Sequence, residues 1–270
     1  MEFVDNDRIR SVLFEISNNK ILPNFRNLNS NQINYKNNNK DIVTSVDIEV
    51  ENYLKKILPQ FLKNSQFIGE EIYTHNPKIL DYYKQNRYCW TVDPIDGTLN
   101  FVKGKEEFAV MVALTFSSQI IQSWIYKPVT QELMYAKLNN GTFLNNKKIT
   151  INNFNSISNS VGSISSKYWD KDIEGKIKLL KNNFKEINSY GSIGCEYFDI
   201  VLGKRDFVIL SKLSPWDHLA GVLLVREAGG NDSHFDNLSY KFNQKSNNLI
   251  VSSSRNLNME IINKIKELKS

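Results

Sequence analysis

Two carboxylates three residues apart, Asp93 and Asp96, close an apolar run in Trp90-Thr91-Val92-Asp93-Pro94-Ile95-Asp96-Gly97-Thr98-Leu99-Asn100-Phe101. Pro94 fixes the backbone between them, and Gly97 permits a tight turn or the close approach of a ligand. Crowded anions raise one another's pKa or demand a counter-ion. A hard divalent cation meets that demand, and carboxylate, carbonyl and hydroxyl oxygens with no His or Cys nearby select Mg²⁺ over zinc or copper. Alone, the tetrapeptide reads better as an ordinary Asp-Gly turn. Two other segments change the balance: Gly69-Glu70-Glu71 follows a predicted strand, and Trp216-Asp217 opens an apolar helix through Leu219, Leu223, Leu224 and Ala228. Each is weak by itself, since a Glu pair after a strand is usually solvated, Asp217 could be an N-cap, and Thr44 and Asp47 have the spacing of a capping box.

Lys36, Asp41-Ile42-Val43-Thr44-Ser45-Val46-Asp47, Gly69-Glu70-Glu71, Asp93-Pro94-Ile95-Asp96-Gly97-Thr98 and Trp216-Asp217-His218-Leu219-Ala220-Gly221 occur in that order. On these segments the sequence resembles the inositol monophosphatase family, a group of Mg²⁺-dependent, lithium-sensitive phosphatases. The resemblance covers nearly the whole chain, from the loop before Asp41 to the strand near Ile250. It implies an α+β / α/β fold, a layered α-β-α-β-α sandwich of the sugar-phosphatase type, with the metal site where its two halves meet. By motif match, Glu70, Asp93 and the carbonyl of Ile95 hold a first Mg²⁺, and Asp93, Asp96 and Asp217 a second, with Asp93 bridging. A third, weaker metal near Glu70 is common in the family. The match assigns catalysis to Asp47, Glu70 and Thr98, with Thr98 paired to Asp47 and orienting the attacking water. The N–H groups of Gly97 and Thr98 would receive phosphate oxygens at a helix start. Lys36, Gly194, Cys195, Glu196 and Asp217 complete the expected substrate contacts.

This set is coherent with hydrolysis of a phosphomonoester. Paired metals can clamp the attacking and leaving oxygens and supply a water nucleophile near neutral pH, while also neutralising the transferring phosphoryl group. No Ser, Cys or His nucleophile is needed, and His75, His218 and His234, in separate segments, read as structural or surface groups. Family members that act on inositol monophosphate carry a glutamate seven residues before the second-motif Asp; here that position is Leu210, which cannot accept a hydrogen bond. Glu196 either replaces the missing acceptor or faces a neighbouring helix. Related enzymes act on adenosine 3′,5′-bisphosphate, fructose 1,6-bisphosphate or histidinol phosphate. A rival of another class is an RNA-binding, transcription-associated regulatory protein on the same scaffold.

The elements that must position these groups follow from periodicity. Val46, Val50, Leu54, Ile57, Leu58 and Phe61 recur at helical steps within Thr44 to Leu62. A first helix is expected from Asp7 to Ile21 and a surface loop from Pro23 to Lys40. Strands are expected at Gln66 to Ile68, Tyr88 to Val92, Phe108 to Phe116 and Ile120 to Tyr126, with a further pair, Leu133 to Lys137 and Lys148 to Ile151, around two Asn-rich turns. After Asn152 the rhythm becomes α/β. Strands are expected at Val161 to Ser165, Phe207 to Leu210 and Leu249 to Ser252, and helices at Lys171 to Asn182, Gly194 to Leu202, Asp217 to Ala228 and Leu257 to Lys269. The expected organisation is an N-terminal α+β half over 1–152 carrying metal motifs and a C-terminal α/β half over 153–270 completing the site.

Composition sets the outer bounds. In 270 residues, 41% hydrophobic and 23% charged side chains make a soluble globule and exclude disordered and fibrous classes. No apolar run reaches the roughly 20 residues of a membrane helix, and the start of the chain lacks a secretion-signal layout, so the expected location is the cytoplasm. The net charge of +5 is scattered, as on a solvated surface; a nucleic-acid partner would need it gathered into a patch. Cys89 and Cys195, far apart in apolar surroundings, suggest free thiols rather than a disulfide or zinc site. The partners implied are a small phosphorylated substrate, no membrane, and a second copy of the chain in a homodimer.

Overall fold

The computed structural model describes residues 1–36, 42–152, 155–243 and 246–268; Asp41, the loop end at Lys40 and the last helix's expected end at Lys269 lie outside them. Asp5 caps α1 (Asn6–Ile16), accepting from the Asp7 N–H at 2.8 Å, and a π turn carries the helix on to Ile21. The segment expected as loop contains a short strand, β1 (Ile33–Tyr35), antiparallel to β2 (Ile42–Thr44). Thr44 then caps α2 (Ser45–Ile57), whose buried stripe holds Val46, Val50 and Leu54 but also Asp47 and Glu51. β3 (Gln66–Gly69), α3 (Glu70–His75), β4 (Tyr88–Asp96) and α4 (Thr98–Val102) follow. A meander of β5 (Ala109–Phe116), β6 (Gln119–Lys127), β7 (Glu132–Lys137), β8 (Gly141–Leu144) and β9 (Lys147–Ile149) completes the first half. The two Asn-rich turns each close a hairpin, which is why β8 stands between the two strands expected there.

Beyond residue 155 come β10 (Val161–Ile164), α5 (Lys171–Leu180), β11 (Glu186–Ile187), α6 (Ile193–Val201), β12 (Phe207–Leu210), α7 (Pro215–Glu227), β13 (Asn231–Ser233), β14 (Leu249–Ser252) and α8 (Arg255–Glu267). The seven-stranded sheet runs β3-β4-β5-β6-β7-β8-β9, with only the β3–β4 pair parallel. The five-stranded sheet runs β11-β10-β12-β14-β13.

Alternation along the strands divides the interior into layers. On β4 and β5, Trp90, Val92, Val110, Val112 and Leu114 pack with α1 and α2, whereas Cys89, Ala109, Met111 and Ala113 face α6 and α7. The five-stranded sheet presents Val208, Leu210, Leu249 and Val251 to those same two helices, and Phe207, Ile209 and Ile250 to α5 and α8. The result is the expected α-β-α-β-α sandwich. α7 lies between two sheets, so ten of its residues from Pro215 to Val225 are buried and it has no polar face. Gly221 lets it approach α6: a Cβ there would stand 1.9 Å from the Tyr197 ring. No helix among the described residues is long and apolar enough to cross a membrane.

Candidate metal centre and substrate cleft

The site starts from a bulge. In an unbroken strand, residues 93 and 96 would point to opposite faces. Opposite Asp93 and Asp96 stand Met111 and Ala109, so β4 carries one extra residue there, and Pro94, which cannot donate to the ladder, sits inside the irregularity. Both carboxylates are thereby turned toward the same end of the sheet. β3, parallel to β4, ends beside it, and its next residue is Glu70. Asp217 comes from the first turn of α7; the cap position belongs to Ser214, so the N-cap alternative for Asp217 does not hold.

Carboxylate oxygens of Glu70, Asp93 and Asp217 lie within 4.8 Å of one another, the group of possible metal ligands found among the described residues. Burial, then the charge of Glu70, pushes both Asp93 and Asp217 well above the ordinary carboxylate range. Lys36 donates to Glu70 and Glu71, each at 2.7 Å. Burial alone would lower its ammonium, but the two glutamates outweigh that and push it up. Glu71, expected to be solvated, is buried, and burial with the Glu70 charge raises it to about 8. An all-oxygen donor set, crowded, desolvated and short of positive charge, fits a hard divalent cation.

Asp96 sits beside this cluster, and part of its accepting capacity is used to hold a neighbouring helix. It accepts from the Ser192 hydroxyl, from Ile193 N at 3.2 Å and from Gly194 N at 2.7 Å, holding the start of α6. Ile95 offers its carbonyl to the Thr98 hydroxyl at 3.0 Å, and Thr98 is also 3.1 Å from Asp47. Asp47 meets both Thr98 and its own helix cap: its other oxygen accepts from Thr44 N in a capping box, and burial, offset by Thr44, raises it to about 6. Gly97 has φ +89°, and a Cβ there would press to 2.9 Å from Ser192, so glycine is required at this turn.

Two clefts meet at Asp217, Gly191 and Lys212. The larger, about 800 Å³, holds Lys36, Glu70, Gly97 and Thr98. The second, about 450 Å³, runs from Asp96 past Leu210 to Tyr168. Gly194 and Cys195, expected as substrate contacts, do not line either one: the Gly194 N–H is spent on Asp96 and the Cys195 N–H on Ser192, at 3.3 Å. Gly191, Ser192 and Ile193 form that wall instead, because α6 begins there. Glu196 reaches the second cleft but accepts from the Ser163 hydroxyl, Ser189 Oγ and Tyr190 N, the last two at 2.8 Å; it faces β10 and its own loop rather than a helix. Of the histidines, His218 bonds to the Tyr197 hydroxyl and is lowered to about 4 by burial, His234 is buried against Asn248, and His75 is exposed.

Sequence reasoning missed Glu51. Its carboxylate accepts from the backbone N–H groups of Glu71 and Ile72, both at 2.8 Å, and so fixes the start of α3 where Glu70 stands. The signal was available, since Glu51 lies one turn after Asp47 on a stripe otherwise apolar.

The sequence pattern described as "Inositol monophosphatase family" matches residues 6–270. An inositol monophosphatase of Dictyostelium discoideum is 34% identical over 216 residues, covering 78% of this chain and 77% of that protein. The Nus factor SuhB of Vibrio cholerae is 30% identical over 242 residues, 88% of this chain and 87% of that one. The solved structure of a Thermotoga maritima IMPase superposes with a TM-score of 0.80 at 25% identity, covering 97% and 96% of the two chains.

Proposed function

Since the chain belongs to the inositol monophosphatase family and is a phosphoric monoester hydrolase, we propose that it works with Mg²⁺, held by Glu70, Asp93 and Asp217 together with Asp96 and the Ile95 carbonyl, to hydrolyse a small phosphorylated polyol, sugar or nucleotide. The convergence of three carboxylates from separate segments to within 4.8 Å carries this reading. Bound Mg²⁺ supplies Lewis acidity, a water nucleophile near neutral pH and neutralisation of phosphoryl charge. The chain's own groups do the positioning. Donating its hydrogen bond to Asp47, the Thr98 hydroxyl turns its lone pairs to water in the cleft and orients it for attack. The N–H groups of Gly97 and Thr98 receive phosphate oxygens, and Lys36 balances the acidic cluster. A cytoplasmic homodimer inhibited by Li⁺ belongs to the same reading, supported by family membership.

The test is release of inorganic phosphate from a panel of phosphomonoesters with Mg²⁺, with and without Li⁺. Asp93→Asn and Asp217→Asn are expected to abolish release while the circular dichroism spectrum stays native; undiminished turnover in both overturns the assignment. Likeness to the Nus factor favours a second reading, RNA binding, and salt-sensitive RNA binding that survives Asp93→Asn would support it.

A further inference from the structure

The second cleft ends in a rim that is built to hold one shape. Tyr168 and Lys212, both bulky, adopt left-handed backbone, with φ of +65° and +56°. Side chains rarely accept that conformation unless their surroundings enforce it. Asn247 does so for both at once: its amide donates to the Tyr168 carbonyl at 2.8 Å and its oxygen accepts from Lys212 N at 2.9 Å. The Ser211 hydroxyl ties the same two segments by donating to the Lys167 carbonyl. So fixed, the Lys212 ammonium stands 5.1 Å from the Tyr168 ring centroid and acts electrostatically on Asp217, while the ring remains 52% exposed. A flat aromatic platform thus stands at the far end of a cleft whose near end is the metal centre, with a cation between the two.

The wall between them, though lined with serines, offers a polyol no free carboxylate among the described residues outside the metal centre. Leu210 has no acceptor, and the Glu196 carboxylate is already occupied by Ser163, Ser189 and Tyr190. Ring hydroxyls there would meet serines whose own hydroxyls already donate elsewhere, Ser163 and Ser189 to Glu196, Ser192 to Asp96 and Ser211 to the Lys167 carbonyl. A planar base asks for fewer such partners and would stack on Tyr168, a contact tolerant of base identity, with its phosphate where the two clefts meet, toward Lys212 and Asp217 on one side and the Gly97 and Thr98 N–H groups on the other.

Resting on the phosphatase reading above, we infer that this site prefers a nucleoside phosphate over a phosphorylated polyol and that Tyr168 is a specificity-determining residue. On the full-length protein with Mg²⁺, kcat/KM for 2′-AMP or 3′-AMP is expected to exceed that for inositol 1-phosphate and glycerol 2-phosphate at least about tenfold. Tyr168→Ala should shrink the ratio of nucleotide to glycerol 2-phosphate by about the same factor, through KM, and Tyr168→Phe should restore it. Independently of any variant, adenosine should compete with glycerol 2-phosphate at concentrations where myo-inositol does not. Preference for inositol 1-phosphate, a nucleotide preference that Tyr168→Ala leaves intact, or equal inhibition by adenosine and inositol overturns this inference while turnover of glycerol 2-phosphate keeps the phosphatase reading. Absence of phosphate release from all four esters overturns both.

Discussion

Thr98 has one hydroxyl proton and two acceptors within reach, Asp47 at 3.1 Å and the Ile95 carbonyl at 3.0 Å. Donation to Asp47 leaves its lone pairs facing the cleft, where a water needs orientation. Thr98→Ala is expected to lower kcat by about 10²-fold with KM changed far less, and Thr98→Ser to recover most of the loss. Steady-state kinetics decide it, and wild-type kcat in the alanine variant removes Thr98 from the mechanism. The adjoining residues were readable because they are contiguous: Asp93, Ile95, Asp96, Gly97 and Thr98 share one strand end and one turn. What holds Asp96 was not readable, because Ser192 and the N–H groups of Ile193 and Gly194 come from almost a hundred residues away, and a helix start expected at Gly194 does not say which carboxylate it will meet.

α2 serves the site from a single face. Asp47 anchors Thr98, and one turn later Glu51 receives the Glu71 and Ile72 N–H groups, so the helix sets the placement of both α4 and α3. Glu51→Ala leaves two N–H groups without an acceptor and should cost about 0.5–2 kcal/mol, read by urea denaturation, with weaker Mg²⁺ binding by calorimetry as Glu70 loosens. An unchanged midpoint would show that water replaces the carboxylate. α7 meets α6 at Gly221, where Gly221→Ala should cost about 1–3 kcal/mol through overpacking against Tyr197. Helices with an apolar stripe and the long strands of the meander were legible from period alone. β1, β8, β11 and β13, four residues or fewer each, were not, because so short a stretch shows no period and none of them carries an apolar run like Phe207–Leu210 or Leu249–Ser252.

At the scale of the molecule, the carboxylate cluster draws Glu70 and Asp93 from the ends of two neighbouring strands of one sheet and Asp217 from the central helix layer. Mg²⁺ held there binds the folded chain alone, so at a hundred times its dissociation constant it should add about 2.7 kcal/mol of stability. Thermal unfolding with and without Mg²⁺ reads this, and Asp217→Asn should abolish the shift; an equal shift in that variant places the bound ion elsewhere. The five layers also bury both cysteines, and burial drives their thiols up, Cys195 to about 12. Ellman's reagent should therefore find both thiols only after denaturation.

α7 has two sheets for neighbours and no side open to water along most of its length. Neither sheet can peel away without wetting that helix, so partial melting has no favourable stopping point. Calorimetry should record one endotherm whose van't Hoff and calorimetric enthalpies agree, the chain surrendering its structure in a single concerted event.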